Sequence, residues 1–320
     1  MTPEAKAAGR GVDSSATSFG RATRSRRFWG LNRRVWSRLP MGVRDSRGGL
    51  AYGRWIHGQV QKKSAREMYV WSTFLRNRPG LELMRRLAQT KAKGSTLNVA
   101  VLGCSVGAEV YSILWVLRST CPSLEIVVHA VDISPEVVKV GEAGVYAPGM
   151  SDVVGDGIFE RLTDLERHQM FDWDGKTGRV RDWLREGIEW HVDDACDPEL
   201  ASRIGGHDIV VASNFLCHMD PATAERCLRN TAQLVNPGGY LFVSGVDLDV
   251  RATVARDLGW EPVVDLLEEI HDADPALRSH WPWEWAGLEP LDRRRPDWRT
   301  RYATAFRVDG SDAGVTASRV

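Results

Sequence analysis

Four continuous apolar runs lie between residues 97 and 246, and helical spacing of apolar residues follows the first three. Uninterrupted apolar runs of this length are typical of strands buried on both faces of a parallel sheet. The runs are LNVAVLG (97–103), EIVVHAVDI (125–133), HDIVVASN (207–214) and YLFVSGV (240–246). The predicted helices are AEVYSILWVLRST (108–120), SPEVVKVGEAGVY (134–146), with Ser134 as N-cap and Pro135 at its first position, and PATAERCLRNTAQLV (221–235). This alternation predicts an α/β fold with a doubly wound, Rossmann-like, mostly parallel sheet.

Two segments interrupt the alternation. Residues 150–190 contain FDWDGKTGRVRDWL, in which Asp174-Gly175 and Gly178 predict a hairpin within a small inserted subdomain. Residues 270–300 are too rich in Pro and Trp to form one regular element, and this Trp-rich segment carries Trp281, Trp283, Trp285 and Trp298. The chain then reaches RYATAFRV (301–308), whose alternating pattern predicts a last, antiparallel strand.

The N-terminal part has a different composition. Residues 1–50 are rich in Gly, Ser and Arg, a composition that buries little apolar surface, and we expect a basic, mobile arm. Residues 51–92 form an N-terminal helical segment, in which we predict two short helices over 64–89 with Pro79-Gly80 between them. Residues 93–320 form the main domain.

Charge and cysteine content limit the function classes. The chain has 42 Lys and Arg and 42 Asp and Glu, so net charge favours neither a nucleic acid nor an anionic membrane as partner, although the N-terminus is basic. The five cysteines are scattered without a CxxC pair, which suggests neither a disulfide framework nor a metal site, and favours a cytoplasmic setting. No apolar run approaches the ~20 residues of a membrane span. An organelle transit peptide is the alternative interpretation of the Arg- and Ser-rich leader.

A glycine turn follows the first predicted strand. Gly103 and Gly107 can bring the backbone close to a ligand at the start of a helix, where unpaired N–H groups favour an anionic or carboxylate-bearing cofactor. The spacing is not the G-x-G-x-x-G of dinucleotide enzymes, so a nicotinamide cofactor is less favoured. Asp132 ends the second predicted strand, where a carboxylate can accept both hydroxyls of a ribose. The alternative role for Asp132 is to cap the next helix.

These motifs together resemble the CheR-type chemotaxis methyltransferases, which use S-adenosyl-L-methionine. The segment GCSVGAEVYSI (103–113) is similar to the family's G-C-S-x-G-E-E-x-Y-S, and STFLR (72–76) to its T-x-F-F-R. The segment starting VDISPEV (131–137) and the one starting VVASNF (210–215) resemble the family's next two motifs, so the similarity covers about residues 65–247.

The resemblance implies a role for each matching position. Gly103 and Gly107, with Cys104 and Ser105 between them, would line the methionyl part of the cofactor. Glu109 would lie beside its amino group, Asp132 and Ile133 beside its ribose, and Asp194 and Ala195 near its adenine. Asn214 and Phe215 would lie beside the transferred methyl group, and Arg76 would reach into the active site. The alternatives are a solvated helix charge for Arg76 and a strand-end turn for Asn214.

The sequence departs from the family pattern at three places. His218 replaces a Tyr, and Ser213 replaces the Arg that precedes Asn214. A His near the methyl group can deprotonate an amine, guanidine or hydroxyl acceptor, whereas a carboxylate needs no base; His218 can equally fill a turn. The family's receptor-binding N-terminal domain has no clear counterpart, and the Trp-rich segment lies beyond the region of similarity.

The resulting hypothesis is an enzyme, an S-adenosylmethionine-dependent methyltransferase. Its acceptor is a carboxylate, amine or guanidine of a small molecule. The alternative acceptor is a glutamate side chain of a receptor-like protein. A nucleic-acid methyltransferase is less favoured because no Pro-Pro-aromatic run follows Asn214, and a catalytically silent binding module is the non-enzymatic alternative. The acceptor's identity and the oligomeric state are not specified by the sequence.

Overall fold

The computed structural model describes residues 23–64, 66, 72–150 and 157–309. The chain divides into two compact units, one ending at Ile56 and one beginning at His57. Among the described residues, no helix has both the length and the apolar character needed to cross a membrane.

The first unit is helical where it is described. Its helices are α1 (Thr23–Arg38), α2 (Met41–Arg44) and α3, which starts at Arg47 and continues to Lys63. Residues 23–50, which the sequence assigned to a mobile arm over residues 1–50, are mostly helical, and residues 1–22 lie outside the described part. Aromatic rings supply apolar contacts that the Gly-, Ser- and Arg-rich composition does not suggest. Trp55 stacks on Trp29 and Tyr52, with ring centroids 6.5 and 5.8 Å apart.

The second unit is built on a seven-stranded sheet with the order β6-β2-β1-β7-β8-β10-β9. Its strands are β1 (Thr96–Leu102), β2 (Glu125–Asp132), β6 (Ile188–Val192), β7 (His207–Ser213), β8 (Val235–Ser244), β9 (Glu261–Pro262) and β10 (Ala305–Val308). The strands β6, β2, β1, β7 and β8 pair in parallel with one another, whereas β10 pairs antiparallel with both β8 and β9. This mostly parallel sheet confirms the predicted fold. The sequence missed β6 and β9, and the last strand is shorter than predicted.

Helices cover both faces of this sheet. The helices described after α3 are α4 (Arg78–Ala88), α5 (Ala108–Thr120), α6 (Pro135–Ala143), α7 (Asp164–Met170), α8 (Asp182–Arg185), α9 (Leu200–Ile204), α10 (Pro221–Thr231), α11 (Leu248–Asp257), α12 (Leu267–His271), α13 (Pro275–His280) and α14 (Trp298–Tyr302). Successive residues of β1 enter opposite cores: Val99 and Val101 join one apolar cluster, and Ala100 and Leu102 join the other. Burial on both faces explains why the parallel strands are continuous apolar runs.

The structure confirms the predicted start of one helix and contradicts a predicted helix boundary at another place. Ser134 caps α6 as expected, accepting from the Val137 N–H at 3.5 Å, and Pro135 occupies the first turn. The expectation that Pro79-Gly80 separates two helices is wrong, because both residues lie in the first turn of α4, where Asn77 accepts from the Gly80 N–H at 2.9 Å. Proline, which has no N–H, is tolerated in the first turn because the N–H groups of that turn have no partner within the helix. Part of the first predicted helix, residues 65 and 67–71, lies outside the described residues.

The inserted subdomain has the predicted hairpin. Its three strands are β3 (Val145–Tyr146), β4 (Phe171–Trp173) and β5 (Gly178–Val180), in the order β3-β5-β4. In the turn, one carboxylate oxygen of Asp174 accepts from the N–H groups of Lys176 and Thr177, at 2.8 and 2.7 Å. The rings of Tyr146 and Phe171 meet Phe74 edge to face at 5.1 and 5.0 Å, so this subdomain fixes the segment that carries Arg76.

The Trp-rich segment is held by a buried carboxylate. Glu289 accepts from the Tyr302 hydroxyl and from Arg301, both at 2.7 Å, and its carbonyl oxygen lies 2.8 Å from the His271 ring. As predicted, several short elements and not one regular element cover residues 270–300.

The cysteines differ from the expectation. Cys196 and Cys227 form a disulfide, so the prediction that the cysteines include no disulfide is wrong for this pair. The fold brings the loop after β6 onto α10 across 31 residues of sequence, a proximity that cysteine spacing does not reveal. Cys104, Cys121 and Cys217 are free thiols.

Candidate active site at the carboxyl edge of the sheet

The sheet has a switch point between β1 and β7. The chain leaves β1 to form β2 on one side, whereas β7 lies on the other side of β1. Doubly wound folds bind ligands outside the carboxyl ends of their strands at this point. The site residues predicted from the loops after β1, β2, β6 and β7 therefore lie along one edge of the sheet.

The turn after β1 has three residues with left-handed backbone. Gly103, Ser105 and Gly107 have φ values of +64°, +52° and +83°. A Cβ on Gly103 would lie 2.9 Å from the Phe215 side chain, and one on Gly107 would lie 2.8 Å from the Trp190 ring. These glycines thus allow close packing of protein groups as well as the tight turn that the sequence predicted.

Cys104 lies in the same turn with its thiol facing the core. It is buried, its N–H donates to the Val131 carbonyl at 3.0 Å, and burial raises the pKa of its thiol well above the ordinary value. A reactive role for this thiol is not supported, because the thiolate is the nucleophilic form.

Asp132 ends β2 and joins two loops. One oxygen accepts from the Ser105 N–H at 2.8 Å, and the other accepts from the Ser134 N–H at 3.0 Å. Asp132 thus supports the turn that leads into α6, whose N-cap is Ser134, and this role is compatible with ligand binding. A carboxylate has about four acceptor positions, so one remains on each oxygen. The adjacent Ile133 side chain is 59% exposed and offers an apolar surface beside these oxygens.

The loop after β6 lies next to Asp132. The Asp193 N–H donates to the Asp132 carbonyl at 3.0 Å. Asp194 is exposed, and one of its oxygens accepts from the Cys196 N–H at 2.8 Å. Ala195 is part-buried and packs against the same apolar cluster as Phe215. The structure thus places Asp194 and Ala195 on the Asp132 side of the edge, and their position near an adenine stays a prediction.

Glu109 connects the two sides of the switch point. It begins α5, and it interacts with the Ser213 hydroxyl at the end of β7. Burial raises the pKa of Glu109, while the hydrogen bond from Ser213 and the positive charge of Arg76 act in the opposite direction. Ser213, which replaces an Arg of the family pattern, is therefore a partner of Glu109.

Arg76 points toward this group from the segment before α4. Its guanidinium lies 3.8 Å from a carboxylate oxygen of Asp274, and Arg161 lies 3.7 Å from the same oxygen. Arg161 also donates to the Arg76 carbonyl at 2.8 Å. The Arg76 side chain is mostly buried, which argues against a solvated surface charge.

Asn214 follows β7 in a strained conformation. Its φ of +59° is uncommon for a residue other than glycine, and its N–H donates to the Ser244 carbonyl at 3.1 Å. A Cβ on Gly245 would lie only 2.6 Å from the Asn214 Cα, so Gly245 makes room for this backbone. Strain of this kind is concentrated at functional sites.

His218 closes the short 3₁₀ turn after Asn214. Its ring contacts Trp285 of the Trp-rich segment, with centroids 6.1 Å apart. Arg66 holds this turn by donating to the carbonyls of Cys217 and Met219, at 3.3 and 2.7 Å, and it pairs with Asp247 at 2.7 Å.

Sequence reasoning missed three contributors to this edge: Arg66, Arg161 and Asp274. They come from segments without a recognisable motif, and each resembles an ordinary surface charge in the sequence. Only their proximity in the fold distinguishes them.

The sheet order and the acidic residue at the end of β2 define the class of the domain, a Rossmann-like α/β domain. Residues 71–248 match the family model "CheR methyltransferase, SAM binding domain". The chain belongs to this family, and its cofactor is S-adenosyl-L-methionine.

Two relatives share the region. A "Probable biofilm formation methyltransferase WspC" of Pseudomonas putida is 31% identical over 179 residues, which is 55% of this chain and 40% of that protein. A "Chemotaxis protein methyltransferase" of Listeria monocytogenes is 26% identical over 180 residues, which is 54% of this chain and 63% of that protein. The chain thus spans less than two thirds of either relative. The crystal structure of magnesium protoporphyrin IX methyltransferase from Synechocystis, with bound SAM, aligns with a TM-score of 0.33 at 12% identity, over 67% of this chain and 86% of that one.

The residues present fit the cofactor. Its ribose hydroxyls need acceptors, its amino group needs an anion, and its adenine needs an apolar surface. Asp132 retains acceptor positions, Glu109 is a carboxyl group at the helix start, and Ile133 exposes its side chain beside Asp132.

Proposed function

We propose that this chain transfers a methyl group from S-adenosyl-L-methionine to a carboxylate, amine or guanidine of a small molecule. The observation that carries the proposal is the group formed by Glu109, Ser213 and Arg76 across the switch point, beside the strained Asn214. In this group, Glu109 supplies a carboxyl on the side of the cofactor, and Arg76 supplies a cation suited to an acidic acceptor.

The cofactor supplies an activated methyl group on a sulfonium, so the protein mainly needs to hold the acceptor in line and at contact distance. Arg76 can orient a carboxylate through two parallel hydrogen bonds. Its 3.8 Å separation from Asp274 is too long for a hydrogen bond, so an acceptor carboxylate can take the better geometry. Where the acceptor is an amine, the His218 ring is the group available to receive its proton.

The Trp-rich segment supports a small acceptor. Trp285 lies against His218, and it comes from residues beyond the family match. Apolar side chains with a few placed polar groups are typical of small-molecule pockets.

A second candidate acceptor is a protein glutamate. It is favoured by membership of the CheR family and by the name of the Listeria relative. The same Arg76 would orient the glutamate carboxylate, so geometry at Arg76 alone does not separate the two acceptors.

The test uses cofactor labelled in its methyl group. The purified chain is incubated with a cell extract divided by size into small molecules and proteins, and the label is followed in each fraction. Label in the small-molecule fraction supports the proposal, and label in protein only contradicts it in favour of the second candidate. Release of the label in alkali identifies a methyl ester, since N-methyl groups are stable.

Two variants assign the role of Arg76. For an acidic acceptor, Arg76→Met should lower kcat/KM at least ~100-fold, since an interaction with a charged group contributes about 3 kcal/mol. Arg86→Met is the control, because Arg86 is an exposed surface residue paired with Glu82 and Asp265. Equal activity in the two variants would contradict the role given to Arg76.

A further inference from the structure

Three potential ligand side chains meet on one face of the sheet, away from the candidate active site. His129 lies on β2, and Glu189 and His191 lie on the neighbouring strand β6, where a spacing of two residues puts both on the same face. His129 and Glu189 are direct partners in the parallel register. The two imidazole rings lie edge to edge in nearly one plane, with centroids 5.1 Å apart and an angle of 6° between their planes.

Their donor atoms form a small triangle. His129 Nδ1 lies 3.0 Å from His191 Nε2, and the Glu189 carboxylate oxygen lies 3.7 Å from the first nitrogen and 4.0 Å from the second. A cation in the plane of these atoms would lie about 2.1 Å from each, the length of Zn–N and Zn–O bonds. Each ring has to rotate to turn its facing nitrogen from the other ring toward the cation.

Burial and charge also suit a cation. The side chains of His129 and His191 are 16% and 28% exposed, whereas that of Glu189 is 61% exposed, so the site can be reached from solvent. Among the residues that the structure describes, the ion-pair partners of Glu189 are these two histidines.

We propose that His129, Glu189 and His191 bind a divalent transition-metal ion of the Zn²⁺ class, with water in the remaining position. Two imidazoles and one carboxylate suit Zn²⁺, whereas Mg²⁺ and Ca²⁺ prefer oxygen ligands alone. Without metal, one of the two facing nitrogens carries the shared proton. Metal binding moves that proton to the other nitrogen of the same ring, so both neutral rings can coordinate.

The consequence for the fold is a cross-link at the sheet edge. β6 is the edge strand, and its partner is β2. An ion held by both strands would stabilise this edge by binding the folded state alone. The proposal does not depend on the proposed methyl transfer, and it concerns residues that precede Asp132 on β2 and that lie on β6, before the loop that carries Asp194.

The experiment measures metal binding to the untagged, metal-free chain. Titration with Co²⁺ should give visible d–d bands that saturate at one equivalent, and Zn²⁺ should displace the cobalt and raise the Tm. Glu189→Gln and His191→Ala should each weaken binding at least ~10-fold, the effect of losing one ligand. His168→Ala is the control, because His168 is an exposed histidine on α7, outside the cluster. Circular dichroism checks that each variant is folded.

Two results would overturn the proposal. The first is a lack of saturable Co²⁺ or Zn²⁺ binding by the folded wild-type chain. The second is binding that persists unchanged in Glu189→Gln and His191→Ala with thiolate-to-cobalt charge-transfer bands, which would place the metal on cysteines.

Discussion

Asn214 shows how one residue depends on the backbone of another. Its left-handed conformation is compatible with the fold only because Gly245, on the neighbouring strand end, has no side chain. Gly245 itself has a φ of +59°. The position beside the proposed methyl-transfer site is thus set by a pair of residues that are 31 positions apart in the sequence.

Gly245→Ala should destabilise the protein and reduce methyl transfer. The left-handed conformation costs an alanine about 1 kcal/mol, and the clash with Asn214 adds ~1–3 kcal/mol as the two loops shift. Gly259→Ala is a matched control, because Gly259 has a φ of +66° but open space around the added Cβ. Urea unfolding measures both variants, and equal losses of stability would contradict the packing argument.

At the scale of elements, Glu166 links two helices. It completes the capping box of α7 with Thr163, and it accepts two hydrogen bonds from Arg78 of α4, both at 2.7 Å. The hydrogen bonds from Arg78 are the largest cause that lowers the pKa of Glu166, from 4.5 to about 2.

This shift predicts a dependence of stability on pH. A carboxyl whose pKa is lowered by folding stabilises the protein above its unfolded pKa of 4.5, and the stabilisation is lost as pH falls toward 2. The stability difference between wild type and Glu166→Gln should therefore be largest above about pH 5 and shrink on acidification. Urea unfolding across this range tests it, with Asp164→Asn, an exposed acid in the same turn, as control. A difference that stays constant with pH would contradict the prediction.

The elements that the sequence predicted are those whose burial leaves a simple pattern. β1 and β7 are buried along most of their length and β2 along one face, and all three stand out in the sequence as apolar runs. β6 is an edge strand of mixed burial, and β9 has only two residues, so neither has such a pattern. The helices over residues 23–50 depend on contacts between aromatic rings distant in sequence, which composition cannot reveal.

At the scale of the molecule, the candidate site combines segments far apart in the chain. The sequence identified Arg76, Glu109 and Asp132 because motifs mark them. It gave no sign that Asp274 would face Arg76, or that Trp285 would contact His218, because these contacts depend on how the Trp-rich segment returns to the sheet. Motifs thus mark the residues proposed for the cofactor side of the site, whereas the contacts on the proposed acceptor side have no motif.

The central claim is that Asp132 holds the ribose of the cofactor, and calorimetric titration with S-adenosylhomocysteine tests it most directly. Asp174→Asn is the matched control, since Asp174 also accepts two backbone N–H groups but lies in the hairpin of the inserted subdomain. We predict saturable binding by wild type and by Asp174→Asn, and binding at least ~10-fold weaker in folded Asp132→Asn, which corresponds to ~1.4 kcal/mol of lost hydrogen bonding. Absence of binding by the wild-type chain, or equal affinity in the two variants, would contradict the account.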